Sequence, residues 1–61
     1  MITQTEIICL AIKAIDYDID EWADKCKGLE KELFEKCTAE LRMKRETLCT
    51  LYLIQTGAEY N

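Results

Sequence analysis

Ile8, Ile12, Ile15, Ile19, Trp22 and Cys26 succeed one another at spacings of 4, 3, 4, 3 and 4 residues. An α-helix completes a turn every 3.6 residues, so these side chains fall along one seam, whereas a half-buried strand needs alternation at every second position. The spacing therefore predicts an amphipathic helix with a narrow, coiled-coil-like apolar stripe. Thr3-Gln4-Thr5-Glu6 supplies its start. It fits a capping box in which the Thr3 hydroxyl accepts from the Glu6 N–H and the Glu6 side chain reaches back to the Thr3 amide, with Ile2 and Ile7 at the hydrophobic-staple positions.

The end of this helix is written in charge. Lys25 and Lys27 precede Gly28, and Glu30 and Glu32 follow it, so each group complements the dipole of a helix end or a helix start. A break at Gly28 gives two helices, about residues 3–27 and 29–56, with Gly57 ending the second and residues 58–61 left as a loose tail. The predicted fold is all-α: a single-domain, two-helix antiparallel hairpin over residues 1–61. Phe34, Cys37, Leu41, Lys44, Leu48 and Leu51 form the facing seam. Trp22 is then expected beside Phe34, Ile19 beside Cys37, Ile15 beside Leu41, Ile12 beside Lys44 and Ile8 beside Leu48. Lys44 lies in this seam with its stem over apolar neighbours and its ammonium in water. Both helices come to roughly 36–42 Å at 1.5 Å per residue, so neither overhangs the other. The rival arrangement is one uninterrupted rod, with the stripe passing through Cys26, Leu29, Leu33 and Cys37 by a four-residue stutter. A third is a break near residues 16–18.

At 61 residues, a single core contributes only about 3–5 kcal/mol unless disulfides, metal or association assist it. Cysteine gives little help. Cys9, Cys26, Cys37 and Cys49 contain no CxxC pair and the chain has no His, so zinc spacings are absent and the four read as small apolar residues in a reducing compartment. Cys9 and Cys49 are expected near each other at the open end of the hairpin. Association remains. Ile7, Leu10, Ala14 and Tyr17 make a second stripe on helix one, and residues 48–54 (LCTLYLI) are apolar nearly all round. A lone helix pair needs one seam each, so the surplus predicts a dimer, most simply a four-helix bundle, through Ile7, Ile8, Leu10, Tyr17, Leu48, Leu51, Tyr52 and Ile54.

A net charge of −4 opposes nucleic acid and anionic membranes and favours a protein partner with a basic surface. No apolar run reaches the roughly 18 residues a span requires, and Met1 leads straight into a polar helix start, which reads as a cytoplasmic chain with no membrane partner. Asp16, Asp18 and Asp20 alternate like the first ligands of an EF-hand, but Glu21 stands where the loop needs Gly and Lys27 where it needs Glu, so no metal site is expected. With Glu21 and Asp24 these carboxylates make a possible acidic contact face for a partner. Arg42, Lys44 and Arg45 form a short basic run, the one candidate for RNA contact, although Glu40 and Glu46 flank it. With no His, no Ser and no Gly-rich phosphate loop, neither an enzyme nor a cofactor site is expected.

The opening TQTEIICLAIKAIDYDIDEW and the segment RETLCTLYLIQTGAEY, residues 45–60, resemble the short helical open reading frames of phages, prophages and mobile elements. That resemblance implies an accessory protein that acts by binding, for instance by inhibiting a host protein. In architecture alone, the expected hairpin dimer resembles the ROP-like RNA-binding hairpins, which supplies the alternative function of RNA binding.

Overall fold

A computed structural model describes residues 1–60 as two helices, α1 (Gln4–Lys25) and α2 (Lys31–Thr56), packed side by side as a hairpin. The rod and three-helix alternatives are thereby set aside. The expected bounds hold to within two or three residues at each end. Thr3 caps α1, its hydroxyl accepting from the Glu6 N–H at 3.1 Å, which satisfies one of the four orphan donors at a helix start. Lys25 closes α1. Gly28 then takes a φ of +85°, a left-handed conformation that costs a residue with a Cβ about 1–2 kcal/mol. Glu30 caps α2 through its backbone only, its carbonyl accepting from the Leu33 N–H at 3.1 Å.

Along α1 the inner seam is as expected: Ile8, Ile12 and Cys26 are buried, and Ile15, Ile19 and Trp22 are half-buried. On α2 the expected seam needs correction. Phe34, Cys37, Leu41 and Leu48 do face inward, but Thr38, Arg45 and Tyr52 take the positions assigned to Lys44 and Leu51, both of which are exposed. Residues 34, 38, 41, 45, 48 and 52 repeat the 4-3-4-3-4 spacing of α1. Since 34, 41 and 48 belong to both candidate seams, hydrophobicity alone favoured Leu51 over Tyr52 and the long stem of Lys44 over Arg45. Packing chooses differently because Arg45 finds a carboxylate across the interface, as Lys44 does not. Lys44 instead holds Glu40 of its own helix at 3.2 Å on the surface.

The register also differs from expectation. Asp16 meets Arg45 and Gln4 meets Gln55, and Cys26 shares a recess with Phe34 where Trp22 was expected. Facing residues on α2 thus lie about one turn further from the connection. The cause is the lean of helical side chains toward their own N-terminus. In an antiparallel pair the two leans are opposed, so side chains that touch are both rooted C-terminal to the point of contact. Pairing Cα positions by eye across Gly28 misses this offset.

Thr38 is fully buried yet satisfied, its hydroxyl donating to the Phe34 carbonyl at 2.8 Å and accepting from Arg42 Nε at 3.3 Å. At the far end Gly57, with φ +72°, turns the chain back and its N–H closes on the Leu53 carbonyl at 2.8 Å. The segment beyond was expected to be loose. Tyr60 instead packs edge-on against Tyr52, ring centroids 5.3 Å apart at 87°, an arrangement favoured by the aromatic quadrupole. Asn61, the last residue of the expected tail, lies outside the described residues.

Candidate functional site

Two faces of the hairpin differ in chemistry. Positions just before each seam residue in the chain and positions just after it fall on opposite sides of a helix pair. Because the helices run antiparallel, the same rotational offset on both lands on the same side.

The "after" side carries the polar contacts. Arg45 donates from Nε to Asp16 Oδ1 at 2.5 Å and from Nη2 to Oδ2 at 3.5 Å, a two-pronged pair between the helices, while its Nη1 reaches toward Cys49 Sγ at 3.7 Å. The hydrogen bond to Asp16 raises the pKa of Arg45 above its ordinary value, desolvation opposing it. Nearby, Arg42 is anchored to Thr38 and, from Nη2, to the Glu35 carbonyl at 2.7 Å. The basic run proposed for RNA contact therefore does not present three free cations: Arg45 is engaged by Asp16, Lys44 by Glu40, and Arg42 by its own helix.

The "before" side is apolar over its half distant from the turn. A groove of about 520 Å³ runs between the helices there, lined by Ile15, Met43, Lys44, Thr47 and Leu48, with Glu40 at its edge. Ile7 and Leu51, both exposed, extend the same side. Of the residues expected to mediate association, Ile7, Leu10, Tyr17, Leu51 and Ile54 are exposed. Ile8, Leu48 and Tyr52 are spent wholly or partly on the hairpin's own seam.

The acidic stretch is divided. Asp16 is held by Arg45 and half-buried, while Asp18, Asp20, Glu21 and Asp24 are exposed. Helical spacing spreads them around the axis, and among the described residues no three carboxylates, thiols or imidazoles gather as a metal would require. Cys26 is buried and the other three cysteines are half-buried, all as free thiols. Cys9 lines a recess with Leu10 and Lys13, whereas Cys49 lines another with Leu53 and Tyr60. No described helix is long and apolar enough to cross a membrane.

Thr38, Arg45 and Tyr60 are the contributors that sequence reasoning passed over. The signal for the first two was present in the 34-38-41-45-48-52 spacing. Tyr60 carried none beyond its aromatic ring. The chain matches no family model, no curated protein and no solved structure, so the two faces must be interpreted from their own chemistry.

Proposed function

We propose that the protein is a small non-catalytic interaction module that works as a homodimer, two hairpins forming a four-helix bundle whose acidic exterior meets a protein partner with a basic surface. One observation carries the reading: among the described residues eleven large hydrophobic side chains are exposed, while the buried apolar core consists of Ile8, Ile12 and Cys26. The accessible surface is 4952 Å², against roughly 4,100 Å² for a folded monomer of this mass. A radius of gyration of 13.4 Å, compared with about 10.5 Å for a compact chain of this length, reflects the same deficit of enclosed volume. Apolar surface left in water on this scale favours association.

Asp18, Asp20, Glu21 and Asp24 supply a solvated negative surface toward the turn, suited to steering a basic partner. The resemblance to phage and mobile-element reading frames supports an accessory role in which binding, such as inhibition of a host protein, is the activity. Because Arg45, Lys44 and Arg42 already have partners, no specific observation favours RNA binding over this reading.

The test is the concentration dependence of thermal unfolding followed by circular dichroism. A dimer coupled to folding gives a midpoint that climbs as protein concentration rises. A midpoint independent of concentration, with full helicity throughout, overturns the proposal.

A further inference from the structure

We infer that the groove side of the hairpin, centred on Met43 and Thr47, is the surface that receives a second copy of this chain, and that the side bearing Asp16 and Arg45 faces solvent. This deepens the homodimer reading and rests on it.

Four observations converge on that side. Its apolar groove lies between the helices, and Met43, 69 % exposed, stands beside it with Leu51 and Ile7. A two-fold dimer needs the same patch on both copies to be self-complementary, and a groove flanked by projecting side chains meets that need. Small residues border it on α1, where Ala11 and Ala14 allow another helix to approach closely.

The polar atoms of the patch are already satisfied. The Thr47 hydroxyl donates to the Met43 carbonyl at 3.1 Å, so it presents its methyl outward and leaves no orphan donor when covered. Lys44 at the groove edge is held by Glu40. On the other side, by contrast, covering Asp16 and Arg45 would strip water from a charged pair that is still 42 % and 38 % exposed.

Area is consistent with one more copy. The hairpin measures 41 × 20 × 16 Å, so its broad side spans roughly 800 Å², the amount each partner contributes to a stable interface. Stacking two such sides yields four helices in two layers, each covering the other's surplus.

The test compares Met43→Glu with Leu53→Glu, which sits just after seam position 52 and therefore on the opposite side. Sedimentation velocity is expected to give a dimer for the wild type and for Leu53→Glu, and at least a tenfold weaker association for Met43→Glu. In a cysteine-free background, Thr47→Cys is expected to cross-link between copies with a short bismaleimide, and Leu53→Cys is not. This readout stands even if a charged variant fails to fold. A dimeric Met43→Glu without Thr47→Cys cross-linking, or cross-linking confined to Leu53→Cys, overturns the assignment of the face while leaving the homodimer intact. A monomeric wild type overturns the homodimer reading itself.

Discussion

Asp16 and Arg45, 29 residues apart in the chain, are joined by two hydrogen bonds across the hairpin, Nε to Oδ1 at 2.5 Å and Nη2 to Oδ2 at 3.5 Å. This pair locks the register of α2 on α1, because sliding either helix by a turn separates the fork from its carboxylate. Both side chains retain access to water, so its energetic worth is that of a partly screened pair. A double-mutant cycle with Asp16→Asn and Arg45→Gln, read by urea unfolding, is expected to give a coupling of about 0.5–1 kcal/mol that shrinks in high salt.

The pH response of Arg45 follows in sign. Its pKa is raised in the folded state, so its contribution is fully present below the unfolded value and is lost only as pH climbs through the folded one. Both lie above about 12, beyond the stability range of most proteins. Urea midpoints measured from pH 7 to 10 should therefore reveal no loss that Arg45→Gln abolishes. A drop in that window specific to wild type contradicts the assignment.

Ile12 has no exposed surface and sits centrally in the α1 seam. Truncation to Ala should cost about 2–4 kcal/mol, from lost transfer energy plus the cavity left behind. For a core of this size that is most of the stability, so helicity at 222 nm is expected to fall to a largely unfolded level at room temperature. Retention of the full signal would mean that the seam contributes far less than its burial implies.

Gly28 and Gly57 share a left-handed backbone, and neither has a neighbour within 4 Å of where a Cβ would stand. Any penalty is thus conformational and not steric crowding. Gly28→Ala is expected to destabilise the hairpin by about 1–2 kcal/mol, since the connection between helices cannot form otherwise. Gly57→Ala should cost less globally, because fraying can absorb the strain at a helix end. Its clearest effect should be faster amide exchange at Gly57 itself, whose N–H now closes on Leu53.

The Thr3 cap has a similarly local signature. Thr3→Ala removes the acceptor of the Glu6 N–H and is expected to cost about 1 kcal/mol. Hydrogen exchange should quicken over the first turn of α1 and leave the interior of α2 unchanged.

Much of this architecture was legible before any coordinates. The Ile8-to-Cys26 spacing fixed the inner side of α1, Thr3 its start and Gly28 its end, because each is a local signal with few alternatives. The second helix was harder. Residues 37 or 38, 44 or 45, and 51 or 52 fit the same periodicity, and choosing the more apolar member puts Lys44 and Leu51 where Arg45 and Tyr52 belong. That choice depends on what lies across the interface, namely Asp16, and no property of α2 alone encodes it. Likewise Tyr60 docks on Tyr52 only because Gly57 reverses the chain, a tertiary contact invisible to helical periodicity. The candidate surfaces were read in part. Ile7, Leu10, Tyr17, Leu51 and Ile54 are exposed surplus as expected, while the division of the hairpin into an apolar side and an ion-paired side depends on register, which the sequence leaves ambiguous.

Sedimentation equilibrium over micromolar to millimolar concentrations tests the central claim most directly. Exposed apolar surface on the scale found here predicts a particle of about twice the 7.1 kDa chain mass, dissociating and losing helicity together on dilution. A fully helical 7.1 kDa species at every concentration would contradict it.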